Sequence, residues 1–298
     1  MELHISTQAN NTNYKTANFW YNMGAKRIVG ARELSLKEIK EMRSKIPDDM
    51  EIETFVHGAM CISYSGRCLL SNYLSGRDAN KGACSHPCRW KYYLMEETRP
   101  GEYMPVEENE RGTYIFNSKD LCMLNHIPEL IDAGISSLKI EGRMKGIYYV
   151  ANCVKVYRDA IDSYYSGNYK FNPKWLEELE SVSHRSYTDG FYMGRPGVDG
   201  QNYNDRNSYS QSHQLVAKVE KKLSKNEYIL AIRNRLEVGE KLEVVSPGIN
   251  VREITLPKMT LITRGKEGEE VEAANPNSFV KITIDTELNE LDMLRKRI

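Results

Sequence analysis

The sequence predicts an α/β protein in two parts, a partial TIM-like (β/α) barrel followed by a small all-β barrel domain. Strand and helix signals alternate along the first part, with a spacing that suits parallel strands joined by helices. Short segments of alternating apolar and polar residues, separated by turn sequences, predict the second part. We expect the barrel portion over residues 1–198, a linker over 199–213 and the β domain over 214–298.

The first strand–helix units can be read in chain order. LHIST is a short apolar alternation, and a helix is expected around Tyr14–Met23, ending at Gly24. KRIVG predicts the second strand. Ser35, with Glu38 three residues later, has the pattern of a capping box and predicts the start of the next helix.

The alternation continues on both sides of a segment without a clear period. EIETFVHG predicts a strand before that segment, while HIPELIDAG, SSLKIEGR and Tyr148–Tyr165 predict a helix, a strand and a long helix after it. This gives about four strand–helix units, roughly half of a complete barrel. We therefore expect either a partner chain that completes the barrel or a missing N-terminal portion.

The C-terminal part begins after a polar stretch, GQNYNDRNSYSQSH, which is typical of a linker. Beyond it, period-2 alternation predicts five strands: HQLVAKVE, EYILAIRN, KLEVVS, VREITL and FVKITIDTE.

Composition restricts the function only loosely. The 41 basic and 41 acidic residues balance to a net charge of zero, which gives no support for a dedicated nucleic-acid surface, although local patches can still bind nucleic acid. The N-terminus MELHISTQAN has no signal-peptide pattern, and no apolar run is long enough to cross a bilayer. These features predict a cytoplasmic protein without a membrane partner, whose cysteines are thiols or metal ligands rather than disulfides.

Four cysteines dominate the segment without a clear period. Cys61, Cys68, Cys84 and Cys88 follow the pattern C-x6-C-x15-C-x3-C. Four thiolates can hold one tetrahedral zinc ion or one iron–sulfur cluster. Zinc sites bring cysteines in close pairs, which fits the last two but not the first two, whereas clusters tolerate irregular spacing. The spacing favours a four-iron (4Fe-4S) cluster, with zinc and no metal as alternatives.

Two further cysteines lie outside this pattern. Cys153 falls in the long predicted helix and is expected to be a buried small hydrophobic residue. Cys122 is either a spare thiol or a fifth candidate ligand.

Several long segments together resemble a known family. They are ETFVHGAMCISYSGRCLLSNY, GRDANKGACSHPCRWKY, RPGEYMPVEENERGTYIFNSKDL, SLKIEGRMK and VYRDAID. They resemble collagenase-like peptidase family U32, and the RPGEYM and C-x3-CRW segments are most similar to its prephenate-dependent tRNA uridine hydroxylases. That branch makes 5-hydroxyuridine at the wobble position of tRNA.

The resemblance carries its own expectations. It implies that Cys61, Cys68, Cys84 and Cys88 hold an iron–sulfur cluster, that prephenate is a co-substrate and that the tRNA anticodon loop is the partner. It also implies that this chain lacks the family's N-terminal part. The branch has no cysteine that matches Cys122, which argues against that residue as a ligand.

The KIEGR motif supplies further candidates for the site. Lys139, Glu141 and Arg143 fall at the carboxyl end of a predicted strand, where barrel active sites lie, and alternation would put all three on one face. Cations there would bind the carboxylates of prephenate or an RNA phosphate. The alternative is a charge-paired barrel rim. His57, just upstream of the cysteines, is another catalytic candidate, and its alternative is a structural histidine.

Other polar groups have weaker interpretations. Arg67 and Arg89 flank cysteines and are candidates for contacts with cluster sulfurs or RNA, or for solvated charges. Asn117–Asp120 is interpreted as a helix N-cap. The basic groups Lys218–Lys222 and Arg295–Arg297 could touch tRNA, but solvated faces are the favoured interpretation.

Three functions follow from these patterns. The first is an RNA-modifying enzyme that hydroxylates a tRNA uridine. The second is a collagen-degrading peptidase, which has little support because the sequence contains neither H-E-x-x-H nor G-x-S-x-G. The third is a non-catalytic assembly or scaffold subunit whose cluster is structural.

Overall fold

The computed structural model describes residues 1–61, 63, 67–89, 93–94, 104–105, 119–167, 169–195, 209–263 and 265–298. These residues form two compact units, one of residues 1–144 and 185–209 and the other of residues 145–184 and 210–298. The predicted domains differ from these units chiefly in residues 145–184, which the sequence assigns to the first part and the contacts assign to the second.

A mixed sheet forms the centre of the first unit. The six strands of this sheet are β1 Leu3–Ile5, β2 Ala25–Val29, β3 Glu51–Ala59, β6 Asp120–Cys122, β7 Ser137–Ile140 and β8 Tyr187–Thr188. Two short strands, β4 Tyr93–Leu94 and β5 Met104–Pro105, form a separate pair. The four predicted strands, β1, β2, β3 and β7, are present and pair in parallel. However, β6 runs antiparallel to β3 and parallel to β8. A (β/α)8 barrel needs parallel neighbours throughout, so the expected TIM-like barrel is not confirmed.

The helices of the first unit are α1 Tyr14–Asn22, α2 Leu36–Arg43, α3 Leu70–Ser75 and α4 Ile127–Asp132. The capping box of α2 is confirmed, because the Ser35 hydroxyl accepts from the Glu38 amide and the Glu38 carboxylate accepts from the Ser35 amide. Ile39 and Met42 of α2 are almost fully buried, as are Ile28 and Ile52 of the sheet. The buried apolar faces thus agree with the hydrophobic periods from which these helices and strands are predicted.

The second unit combines two helices with antiparallel strands. The helices are α5 Ile147–Tyr165 and α6 Pro173–Glu180. The strands are β9 His213–Lys222, β10 Glu227–Ile232, β11 Leu236–Glu237, β12 Lys241–Val245, β13 Arg252–Thr255, β14 Met259–Thr263, β15 Lys266–Val271, β16 Ala273–Ala274, β17 Phe279–Thr283 and β18 Met293–Arg297. The main sheet has the order β13-β12-β18-β9-β10-β17-β14-β15, and its apolar core confirms the predicted all-β part.

A buried ionic network ties the two helices to this sheet. Arg295 on β18 is 3% exposed, and its guanidinium donates to the carboxylate of Glu178 on α6. Lys155 on α5 donates to the other oxygen of the same carboxylate. The favoured interpretation of Arg295–Arg297 as a solvated face is therefore wrong for Arg295, because partners distant in sequence neutralise its charge inside the unit.

No helix in the described ranges is both long and apolar enough to span a membrane.

Candidate functional site

A cavity in the first unit gathers residues that follow its parallel strands. Thr7 comes two residues after β1, Arg32 three after β2, Cys61 two after β3 and Glu141 one after β7. The carboxyl ends of parallel strands meet at one edge of a sheet, and ligands of α/β proteins commonly bind there. The strand ends thus converge on one site even though the barrel itself is not confirmed.

All four predicted cysteines line this cavity, which has a volume of about 120 Å³ and is called the cysteine cavity below. Cys61 is exposed, Cys68 and Cys84 are half-buried and Cys88 is buried, and all are free thiols. Within the described ranges, no three His, Cys, Asp or Glu side chains form a group that could hold a single metal ion. The cavity therefore offers four soft sulfur donors without being closed around one ion.

Short turns hold the cysteine segment in place. Helix α3 follows Cys68, and its Ser71 hydroxyl accepts from the backbone amide of Ser85, at 3.0 Å. The His86 amide donates to the Cys84 sulfur at 3.3 Å, and His86 adopts a left-handed backbone conformation with φ of 55°. This hydrogen bond fixes the turn on which Cys84 borders the cavity.

The charges around the thiols are mixed. Although Cys61 is exposed as a residue, the surrounding protein desolvates its sulfur and raises the pKa of the thiol. The neighbouring Cys68 and Cys84 raise that pKa further, while the Arg32 guanidinium lowers it. Arg32 lies 3.7 Å from the centre of the Phe55 ring, and its Nη2 is 3.9 Å from Glu141 Oε2. A cation fixed in this way favours negative charge in the cavity.

The KIEGR residues separate into two groups. Strand β7 ends at Ile140, so Glu141 and Arg143 lie in the turn that follows it, and both line the cysteine cavity. Lys139 does not line it; its Nζ is 2.8 Å from Glu53 Oε1 and helps to lower the pKa of that carboxyl, although burial opposes the shift. The expectation that all three share one face is therefore wrong, because the strand ends too early, and Lys139 fits the charge-paired alternative.

Arg143 has the features of an anion-binding group. Among the described residues its guanidinium has no carboxylate within ion-pair distance, whereas its backbone amide donates to Glu141 Oε1 at 2.9 Å. A Cβ built on Gly82 would be 2.5 Å from Arg143 Nη1, so the guanidinium lies directly against this glycine. The absent side chain at Gly82 leaves room for that contact.

Close backbone packing holds the KIEGR turn beside the end of β3. The Glu141 amide donates to the His57 carbonyl at 2.8 Å. Gly58 has φ of 101°, and a Cβ there would be only 2.2 Å from the Glu141 carbonyl oxygen. Only glycine fits both this conformation and this approach without strain.

His57 and the two remaining cysteines do not line the cavity. His57 is 1% exposed, pairs with Cys122 across β3 and β6, and has its ring 5.5 Å from that of Tyr187. Cys122 is buried, and neither residue lines the cavity. Cys153 is fully buried in α5, as its helical position predicts.

The other polar residues that the sequence offers as candidates have separate outcomes in the structure. The side chain of Arg89 and residues 117–118 lie outside the described residues. Asp120 belongs to strand β6 and accepts from the Arg185 amide, so the N-cap interpretation is wrong for Asp120. Lys218 and Lys222 on β9 are paired with Glu220 and Glu287, at 2.8 and 3.0 Å.

Arg32 borders the same thiols, although no sequence motif marks it as a site residue. Its position after the second predicted strand is the available signal, because the carboxyl ends of such strands carry functional groups. An open cleft of about 1100 Å³ also shares Cys61 and is lined by Arg67, Arg195 and several carboxylates.

Comparison with known proteins gives consistent matches. Residues 1–202 match the model of peptidase family U32, and residues 211–295 match the C-terminal domain of that family. The chain is 39% identical over 337 residues to tRNA hydroxylation protein P of Escherichia coli (strain K12), covering 99% of this chain and 73% of that protein. It is 38% identical over 300 residues to tRNA hydroxylation protein P1 of Bacillus subtilis (strain 168), covering 99% and 69%.

A third relative has a different name. The chain is 34% identical over 206 residues to a collagenase of Porphyromonas gingivalis, covering 65% of this chain and 48% of that protein. These alignments include 99% of this chain and 73% and 69% of the two hydroxylation proteins, and they do not confirm the expectation of a missing N-terminal part.

Proposed function

The chain belongs to peptidase family U32, and we propose that it hydroxylates tRNA, forming 5-hydroxyuridine at the wobble position. The observation that carries this proposal is the cysteine cavity, in a chain that aligns over 99% of its length with two tRNA hydroxylation proteins. Because the wobble base lies in a single-stranded loop, a protein can reach it without opening a duplex. A tRNA substrate also agrees with the cytoplasmic location expected from the sequence.

The donor set of the cysteine cavity fits an iron–sulfur cluster. Cys61, Cys68, Cys84 and Cys88 would hold it, and four thiolates are the usual ligands of a 4Fe-4S cluster. Such a cluster is larger than one ion, so it suits thiols that are not gathered around a single-ion position. Zinc is the alternative occupant. When bound, an iron–sulfur cluster supplies electron-transfer chemistry, with a potential that depends on nearby charges and hydrogen bonds.

Two arginines give the cavity its affinity for anions. Arg143, which has no carboxylate partner among the described residues, would bind a carboxylate of prephenate or a phosphate of the RNA. Arg32 is oriented by the Phe55 ring and Glu141, so it would add a fixed positive charge beside Cys61. Glu141 would act as a positioning residue, because its carboxylate accepts from the Arg143 amide and fixes the turn.

The peptidase alternative depends on the collagenase relative, which aligns with 65% of this chain. A cysteine nucleophile among the cavity thiols would need an activating base. His57, the histidine that the sequence offers as a catalytic candidate, is buried in the sheet and does not line the cavity. Four thiols that line one cavity favour a set of ligands over a single catalytic cysteine.

One experiment separates these functions. The gene is expressed in a host from which all pathways to wobble 5-hydroxyuridine have been deleted, and digested tRNA is analysed by mass spectrometry. We expect the modification to appear with the wild-type chain and to be absent with Cys84→Ala, while Cys153→Ala retains it. Unmodified tRNA, together with gelatin cleavage by the purified protein, would instead establish the peptidase.

The cofactor is tested on the same proteins after purification without oxygen. The wild type and Cys153→Ala should contain iron and acid-labile sulfide and absorb visible light, and Cys84→Ala should not. A colourless protein with stoichiometric zinc would refute the cluster.

A further inference from the structure

Helix α3, inside the cysteine segment, exposes an unusual group of apolar side chains. Tyr73 is 86% exposed, Leu69 is 68% exposed and Leu74 is 40% exposed. Single exposed apolar residues are ordinary, but Leu69 and Tyr73 are four positions apart and share one side of this helical turn, as in a binding surface, whereas Leu74, four positions after Leu70, lies at the edge of that side. We call this patch, together with the flanking Arg67 and Arg77, the Tyr73 face.

The opposite side of α3 is fixed to the cysteine cavity. Leu70 lines that cavity, and Ser71 is fully buried. The Ser71 hydroxyl accepts from the amide of Ser85, and the hydroxyls of Ser75 and Ser85 are 2.6 Å apart. Since Ser85 follows Cys84 directly, the Tyr73 face is attached to the loop that carries a proposed cluster ligand.

The charges of the Tyr73 face have one sign. Arg67 and Arg77 are exposed, and neither has a carboxylate within ion-pair distance among the residues that the structure describes. Asp78 is paired with Lys81, at 3.2 Å. The whole chain has a net charge of zero, so this local excess of cations is a property of the face and not of the composition.

The arrangement matches the chemistry of single-stranded nucleic acid. A base stacks on an exposed aromatic ring, while neighbouring arginines contact the phosphates on either side of it. Arg77 is four residues from Tyr73, which limits their separation to about 14 Å along an extended chain and less in a helical turn. Arg67 also borders the open cleft that shares Cys61 and that carboxylates line together with Arg195, so the face reaches the edge of the proposed site of reaction.

We propose that the Tyr73 face binds the single-stranded loop of the tRNA, with the Tyr73 ring stacked on a loop nucleotide. The proposal rests on the proposed function, since it names how the same site holds its RNA. A helix of six residues is too short to act as an amphipathic membrane anchor, and unpaired arginines would repel a second copy of the same face.

Fluorescence anisotropy tests the proposal with the full-length protein and a labelled anticodon stem-loop RNA. Tyr73→Ala should weaken binding about tenfold or more, whereas Tyr73→Phe, which keeps the ring, should bind within about twofold of wild type. Tyr165→Ala is the matched control, because Tyr165 is 70% exposed but lies on α5, and it should have no effect. Arg77→Gln should weaken binding and lower the salt dependence of log K by about 0.7, the value for one phosphate of a single strand.

The outcomes are distinct. Equal binding by wild type and Tyr73→Ala would overturn the proposal, as would equal losses in Tyr73→Ala and Tyr165→Ala. The proposal would also be overturned if the protein preferred a fully paired duplex of the same stem to the stem-loop. It would be overturned as well if the wild type bound anionic vesicles and Tyr73→Ala did not. If loop binding depends on Tyr73 but the expression host gains no 5-hydroxyuridine, the proposed function fails while the RNA surface stands.

Discussion

Glu178 is the residue whose replacement should most strongly destabilise the second unit. Its carboxylate is 2.6 Å from Arg295 Nη2 and 2.7 Å from Lys155 Nζ, and the side chains of all three residues are less than 10% exposed. Glu178→Gln keeps the shape but removes the charge that compensates both cations. Arg295 retains Glu243 at 2.7 Å, whereas Lys155 has no second carboxylate among the described residues. Removing one partner of a buried pair costs about 3–5 kcal/mol, and we expect a loss of that size.

Urea unfolding followed by tryptophan fluorescence measures this loss, because Trp175 is buried in α6, three residues from Glu178. The double variant Lys155→Met/Glu178→Gln should be more stable than Glu178→Gln alone, since it also removes the uncompensated ammonium group. Glu270→Gln is the control: it breaks an ion pair with Lys258 whose side chains are 67% and 74% exposed, and it should cause no measurable change. Equal stability of Glu178→Gln and wild type would refute this account of the network.

The effect of Glu178 should also depend on pH. Burial raises the pKa of this carboxyl, but hydrogen bonds from Arg295 and Lys155 and their charges outweigh burial, and the pKa is lowered overall. A carboxyl with a lowered folded-state pKa contributes stability above its unfolded pKa of about 4.3 and loses it as the pH falls through the folded value. The difference between wild type and Glu178→Gln should therefore be full at neutral pH and shrink below about pH 4. A difference that stayed constant down to pH 3 would show that the charge of Glu178 is not its source.

Two further predictions concern the site. Arg143→Ala should reduce 5-hydroxyuridine in tRNA from the expression host while leaving the iron content unchanged, because Arg143 is proposed to bind an anion and not the cluster; loss of iron would contradict that role. Gly58→Ala should destabilise the protein by at least about 1–3 kcal/mol, because the added Cβ strains a backbone with φ of 101° and would be 2.2 Å from the Glu141 carbonyl. Gly24→Ala, with φ of 91° but nothing within 4 Å, is its control in thermal unfolding, and equal losses would show that the close approach at Gly58 is unimportant.

The sequence predicts those parts of the fold that depend on local pattern. The four parallel strands and the helices α1, α2, α4 and α5 have clear periods or caps, and they form close to where they are expected. Strands β6 and β8 have only three and two residues, so no period could reveal them or their mixed pairing directions. The burial of Arg295 could not be predicted from the sequence either, because its main partner, Glu178, is 117 positions away in the chain. Without a visible acidic partner, a basic run is interpreted as solvent-exposed.

The candidate site also contains some residues that a local sequence pattern predicts and others that only the fold brings together. Four thiols in one segment indicate a shared role without any knowledge of the fold, and they do line one cavity. Arg32 carries no local motif, and only its place after β2 brings it beside Cys61. For Lys139 the strand pattern failed, because it assumed that β7 continues through Arg143, whereas the strand ends at Ile140.

Gly58 connects two motifs that look independent in the sequence. It belongs to the segment just before Cys61, whereas Glu141 and Arg143 belong to KIEGR, more than eighty residues later. A side chain at position 58 would occupy the space of the Glu141 carbonyl, and the hydrogen bond from the Glu141 amide to His57 would then be lost. The turn that carries Arg143 would then have to shift from the end of β3. The missing Cβ of one glycine thus allows the sulfur donors and the anion-binding arginine to share one site, and a sequence that kept both motifs but changed Gly58 should lose that arrangement.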